Sequence, residues 1–311
     1  MERKEIIVVT AFFSIGGNKG RTDEQYLSYF KSWAKLKNHI ICYVESKCLK
    51  EQIESFRASI GLLEKTEVII IENSVSIDIK MYESICSTMT NKAYIAYNMC
   101  PNSTCHSNPK YNYVVNLKSW CCQDATSRIN ADNEILAWID FGFNHEYETY
   151  DSSSDFNFLW DYNFPDDKIT VFHVRPFDNR AIFDIVFSGA VYITGGIVVA
   201  PGRLWKQLWR MTRENMQRLN ACGLSDTDET ILLMCYREQP SLFNVIKTKY
   251  WAQGLQLCGG QNLILKTNIG KRIDEKDKWF YKSALQTYLK EYVSRIENYY
   301  NNIYYIPNEW P

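Results

Sequence analysis

The chain has 311 residues, 46% of them hydrophobic and 23% charged, which supplies a sizeable core and excludes compositional disorder. Its 35 basic and 36 acidic residues leave a formal net charge of -1, so no global field draws a polyanion and nucleic acid is not an expected partner. No run approaches the ~20 apolar residues that cross a bilayer, and the Met-Glu-Arg-Lys-Glu start is wrongly flanked for a signal peptide, so a cytoplasmic protein with reduced, mostly core cysteines is expected.

Residues 6–13 are apolar and read as a strand. They run into Ser14-Ile15-Gly16-Gly17-Asn18-Lys19-Gly20-Arg21, a glycine-rich turn ahead of a helix. That helix is signalled by Thr22 and Gln25 in capping-box positions and by Tyr26, Phe30, Trp33 and Ala34 at helical spacing. Residues 40–44 and 68–71 read as further strands with a helix between them, a rhythm that implies a parallel sheet. Helical patterns fill 79–98 and 111–129, on either side of the turn-rich stretch 101–109. Cys100, Cys105 and His106 cluster there, but a zinc site would need a fourth ligand, such as Cys121, at none of the familiar spacings.

A fourth strand, residues 135–141, stops at Gly142, and a polar loop follows through residue 167. Residues 169–174 and 190–200 read as strands, the second interrupted by Gly195-Gly196. Pro201 opens a helix to about residue 222, followed by a helix over 225–238, a short strand over 243–246 and an amphipathic, aromatic-ended helix over 276–300. With no internal repeat or linker, residues 1–270 are expected to form one domain, with 271–311 as a helical, aromatic extension packed on it.

Ligands of open α/β sheets sit beyond the carboxyl ends of the strands, which directs attention to the loops after the first and fourth strands. Backbone N–H groups around Gly16 and Gly17 can cradle a diphosphate, with Lys19 or Arg21 beside it. The loop matches neither GxxxxGK[ST] nor GxGxxG, and a plain surface turn would look the same. In Trp138-Ile139-Asp140-Phe141-Gly142-Phe143 a buried strand delivers one carboxylate to the sheet edge. Asp140 there suits Mg²⁺ or Mn²⁺, which share their shell with phosphate oxygens, or serves as a strand-end turn. Asp-Phe-Gly also occurs in protein kinases, but no GxGxxG precedes it and no His-Arg-Asp exists here. Ser225-Asp226-Thr227-Asp228-Glu229 places three carboxylates at a helix start. They cap the helix, or one of Asp226, Asp228 and Glu229 is a general base for an attacking hydroxyl. Gly195 and Gly196 leave room for a sugar ring or mark a bulge.

On these residues the chain resembles the HtrL/YibB family, which includes the WlaTC-type proteins, over nearly its whole length. The likeness rests on Val8-Val9-Thr10-Ala11-Phe12-Phe13 with its Gly-rich turn, the strand end 138–143, the Gly195-Gly196 strand and the Asp226-x-Asp228-Glu229 helix start. That family is grouped with GT-A-type glycosyltransferases. The resemblance therefore implies an α/β fold with a single nucleotide-binding sheet, mostly parallel but mixed, flanked by helices and ending in a helical C-terminal tail. It also implies sugar transfer from a nucleotide-sugar donor to a saccharide or lipid-linked saccharide acceptor, in lipopolysaccharide, lipooligosaccharide or another surface glycan.

The donor would lie among Thr10, Phe12, Gly16, Gly17, Lys19, Arg21, Asp140, Gly142, Gly195 and Gly196, with Asp140 the ligand of a divalent cation. The GT-A metal motif is Asp-x-Asp. Asp140 matches its first or only acid and Gly142 stands in the other place, so either a metal draws further on His145, Glu146 or Glu148 or no metal is bound. Lys118, on the helix before the fourth strand, reaches a phosphate from beneath the sheet edge or is an ordinary exposed lysine. Arg203, Lys206, Arg210 and Arg213 form a basic stripe that either meets the cytoplasmic face of the inner membrane or faces solvent, and Tyr299, Tyr300, Tyr304, Tyr305 and Trp310 either stack on sugars, sit at a membrane interface or pack the C-terminal helix onto the core. Two other functions remain open: a non-catalytic glycan- or nucleotide-binding scaffold, and a nucleotidyltransferase, which would need more carboxylates around two metals.

Overall fold

The computed structural model describes residues 5–15, 21–97, 104–145 and 149–266. The glycine turn at 16–20, the Cys100 corner, Glu146, Glu148 and the C-terminal extension lie outside the described residues.

Strand β1 (Ile7–Phe12) leads into α1 (Asp23–Trp33), whose capping box is formed as the sequence predicts. The Gln25 amide donates to Thr22 Oγ1 (3.3 Å), and the Thr22 amide donates to Gln25 Oε1 (2.8 Å). Leu27, Phe30 and Trp33 then bury one face of the helix. There follow β2 (Ile40–Val44), α2 (Lys47–Ser59) and β3 (Thr66–Ile70). The first helical stretch divides into α3 (Ile79–Met89) and α4 (Lys92–Tyr97). A short α5 (Thr104–Ser107) precedes α6 (Pro109–Asn116) and α7 (Lys118–Ile129), so the second stretch is also two helices, with the break at Leu117.

Strand β4 (Ile135–Ile139) is fully buried, and β5 (Ile169–His173), α8 (Ile182–Ser188), β6 (Ile193–Pro201) and the twenty-residue α9 (Gly202–Ala221) follow. The chain then forms α10 (Asp228–Glu238), β7 (Phe243–Lys247) and α11 (Gly254–Leu257).

The seven strands make one sheet in the order β3-β2-β1-β4-β6-β5-β7. All pairings are parallel except those of β6, which runs antiparallel to both β4 and β5. The fold is thus α/β with a mostly parallel, mixed sheet, as expected. Each face of the sheet carries its own core. Phe30, Trp33 and Ile53 of α1 and α2 pack with Val8 and Phe12 on one side. Helices α3, α6, α7, α9 and α10 pack with Val9, Tyr43, Trp138 and Val198 on the other. This separation follows from strand alternation, in which Val8 and Val9 face opposite ways.

The irregularity expected at Gly195-Gly196 is present, although β6 runs on through it: its register with β4 extends to Ile197, and the Asp140 amide donates to the Gly196 carbonyl (3.0 Å). The irregularity is on the other edge. Val171 pairs with Val198 but Phe172 pairs with Thr194, so Gly195, Gly196 and Ile197 have no partner on β5.

Among the described cysteines, eight are free thiols, with Cys42, Cys121, Cys122, Cys235 and Cys258 buried. No helix among the described residues is long and apolar enough to cross a membrane.

Candidate functional site

Parallel strands present their carboxyl ends on one edge, and the order of the sheet places the ends of β1 and β4 side by side there. A cleft of about 670 Å³ opens at this edge. Phe12 to Ile15 wall it from β1, Asp140 to Gly142 from β4, and Asp226 to Thr230 from the start of α10. Arg21, Asp23, Tyr26, Lys118, His145 and Trp251 are among its other lining residues.

Two carboxylates meet across one ammonium group. Lys118, the first residue of α7, has its Nζ 2.9 Å from Asp140 Oδ1 and 2.7 Å from Asp228 Oδ2. The same Nζ donates to the Gly195 carbonyl at 3.0 Å. The Lys118 side chain is 13% exposed, Asp228 8% and Asp140 37%, so Asp140 is the member of the group that meets solvent in the cleft. Lys118 is therefore not an ordinary exposed helical lysine. Trp138, on the same face of β4 as Asp140, donates from its indole Nε1 to Asp140 Oδ1 at 2.7 Å and fixes the carboxylate's direction.

Gly195 makes the approach of Asp228 sterically possible. A Cβ there would lie 1.7 Å from Asp228 Oδ2 and 3.1 Å from Lys118 Nζ, so the missing side chain is replaced by the carboxylate rather than by open space. A Cβ on Gly196 would lie 3.8 Å from Asp140 Oδ2, an ordinary contact. A Cβ on Gly142 would come within 3.0 Å of the Tyr26 ring.

At the helix start the three acids have different surroundings. Asp226 is buried; its Oδ1 accepts from the Thr227 amide (2.8 Å) and its Oδ2 from the Thr230 hydroxyl (2.7 Å). Burial pushes its carboxyl up to about 7, against those two hydrogen bonds. Burial, then Glu229, push Asp228 well above the ordinary carboxylate range in spite of Lys118. Burial also raises Glu229, whose carboxylate accepts from the Thr227 hydroxyl and is the least buried of the three. Burial lowers Lys118, but Asp140, Asp228 and Glu229 outweigh it and leave the ammonium above its ordinary value. Burial thus disfavours the charged forms of Asp228 and Glu229 while Lys118 keeps its ammonium.

Of the other residues the sequence pointed to, Arg21 and Gly142 line the cleft. Gly16, Gly17 and Lys19 lie outside the described residues. Phe12 forms wall rather than contact surface, stacked on Phe141 at 5.0 Å and mostly buried. Thr10 is a correction: it pairs with Cys42 in mid-strand, is wholly buried and does not reach the cleft, because it lies deeper in the sheet than the strand's carboxyl end.

The donor set for a divalent cation differs from the paired carboxylates of Asp-x-Asp. Gly142 contributes no ligand, and Asp228, the next acid to approach Asp140, is separated from it by the Lys118 ammonium. The described residues therefore do not fit a metal bridged by two carboxylates. His145 lines the same cleft.

The basic stripe of α9 is largely engaged: Arg203 donates to the Asp166 carbonyl, Arg210 pairs with Glu214 at 3.0 Å and Arg213 pairs with Asp78. Trp138 as the partner of Asp140 was not anticipated, although its position two residues before the acid already put both on one face. Tyr26 shares the helical spacing of Phe30 and Trp33, which masks its place in the cleft, and Trp251, in the loop after β7, has no local signal.

The family model described as "Bacterial protein of unknown function (HtrL_YibB)" matches residues 4–256. Protein HtrL of Escherichia coli (strain K12) is 27% identical over 256 residues, covering 76% of this chain and 86% of that protein. Among solved structures, PaToxG Glycosyltransferase aligns over 77% of this chain and 72% of its own with a TM-score of 0.35 and 13% identity.

Proposed function

The chain belongs to the HtrL_YibB family, and on that premise we propose that it is a glycosyltransferase that moves a sugar from a nucleoside-diphosphate donor to a saccharide acceptor. One observation carries this reading. A cleft of about 670 Å³, within the size range of small-molecule sites, brings the end of β1, the Asp140 end of β4 and the acidic start of α10 around the buried ammonium of Lys118.

In this reading the diphosphate lies toward Arg21, the cation that lines the cleft beside the end of β1. The acceptor hydroxyl bonds to the anomeric carbon as the bond from that carbon to the phosphate oxygen breaks. The electron pair leaves with the nucleoside diphosphate, and the hydroxyl proton passes to a carboxylate. Glu229 is the best placed to take it, being the least buried acid of the α10 cluster and held by Thr227. Asp226 is turned to Thr227 and Thr230, and Asp228 to Lys118, so both act as supports. That the acceptor is a bacterial surface glycan rests on the family resemblance alone.

The test is thermal stability against a panel of nucleoside diphosphates and nucleotide sugars, followed by the release of free nucleotide from the donor that binds. A ligand at about 100 times its Kd adds about 2.7 kcal/mol, which a melting curve resolves. Stabilisation by one base, with turnover that falls at least about 100-fold in Glu229→Gln, is expected. If no nucleotide shifts the melt, the sugar-transfer reading is lost and a non-catalytic glycan-binding role takes its place.

A further inference from the structure

We propose that the ammonium of Lys118 is the resident bridging cation of this cleft, standing between Asp140 and Asp228 where a divalent ion would otherwise join two carboxylates. The proposal goes beyond the sugar-transfer reading and holds whatever the cleft's ligand is.

An ammonium has three N–H donors in a compact head. Lys118 Nζ donates to Asp228 Oδ2 at 2.7 Å and to the Gly195 carbonyl at 3.0 Å, and forms an ion pair with Asp140 Oδ1 at 2.9 Å. Two carboxylates and a carbonyl are hard oxygen ligands of the kind that Mg²⁺ and Mn²⁺ also take. An ion coordinated by both inner carboxylate oxygens would need the volume that Nζ fills, so the two occupants exclude each other.

The surroundings are shaped around the ammonium. Gly195 leaves the notch into which Asp228 Oδ2 fits, and the Trp138 indole holds the Asp140 oxygen that faces the lysine. The same indole ring lies 5.9 Å from Nζ, within the range of a cation–π contact. The charge is delivered covalently from the first turn of α7, so it cannot dissociate. In the chain as it stands, the pairing of Asp140 with Asp228 requires no added ion.

The test uses Mn²⁺ alone, with no nucleotide, and follows the electron paramagnetic resonance signal of the free ion as it is titrated with the full chain. Lys118→Met and Lys118→Gln keep the length of the side chain, roughly, and remove the cation. Each is expected to take up one Mn²⁺ per chain at least about tenfold more tightly than the wild type, because the position between the two carboxyl groups is then vacant and no resident cation competes for it. Adding Asp228→Asn to Lys118→Met should abolish the gain. A lysine that only braced the fold would lower stability without creating this uptake. Wild-type uptake of one ion as tight as that of Lys118→Met overturns the proposal, as does the failure of both folded variants to gain uptake. If neither variant folds, the wild-type titration decides: absence of micromolar binding supports the resident lysine, and one tightly held ion refutes it. Because no nucleotide is present, failure here is separable from failure of the transferase reading.

Discussion

At the scale of single residues, adjacent glycines have opposite roles. Gly195→Ala drives a methyl into the Asp228 carboxylate, whereas Gly196→Ala meets nothing closer than 3.8 Å. The first substitution should cost about 1–3 kcal/mol through forced displacement of the Asp228–Lys118 pair. The second should stay within about 0.5 kcal/mol; urea unfolding of the two variants checks the contrast. Asp226 makes a pH prediction. Its carboxyl rises from an ordinary 3.8 to about 7 in the fold, so between these values the folded chain holds a proton that the unfolded chain has released. Stability therefore falls as pH rises through that window. Asp226→Asn cannot titrate and should flatten the fall between about pH 4 and 7, measured as urea midpoints. Part of the slope should remain, because Asp228 and Glu229 are raised in the same direction.

At the scale of elements, the least predictable support is Arg57 on α2. Its buried guanidinium uses all five donors. It bonds to the carbonyls of Ala34, Leu36, Asn38 and Lys65 and to the Thr66 hydroxyl, at 2.7 to 3.1 Å. Burial lowers it to about 10, and it ties the α1–β2 connection to the start of β3. Arg57→Met strands those acceptors and should cost about 3 kcal/mol or more in urea unfolding. Arg57→Lys should recover only part, since an ammonium has three donors and no planar fork. Nothing in the local sequence distinguishes Arg57 from a solvated helical arginine. The capping box of α1 was legible because Thr22 and Gln25 are three residues apart and act on each other directly. The breaks inside the two long helical stretches were not, because the apolar period continues across Thr90 and Leu117.

At the scale of the whole molecule, the cleft exists because strands distant in sequence lie side by side. Asp140 is 22 residues from Lys118 and 88 from Asp228, yet one ammonium contacts both. The sequence by itself determined the strands and most helices, the parallel majority of the sheet and the carboxylates at the ends of β4 and the start of α10. Each of these follows from apolar period, turn residues or caps acting over a few neighbours. Only the tertiary structure decided that β6 runs antiparallel between β4 and β5, that Thr10 is wholly buried in mid-strand and that Asp228 fills the space beside Gly195. It likewise decided that Lys118 is buried between two acids. Strand order and side-chain burial are set by long-range packing on both sheet faces, and no pattern confined to adjacent residues encodes which distant carboxylate a lysine will meet.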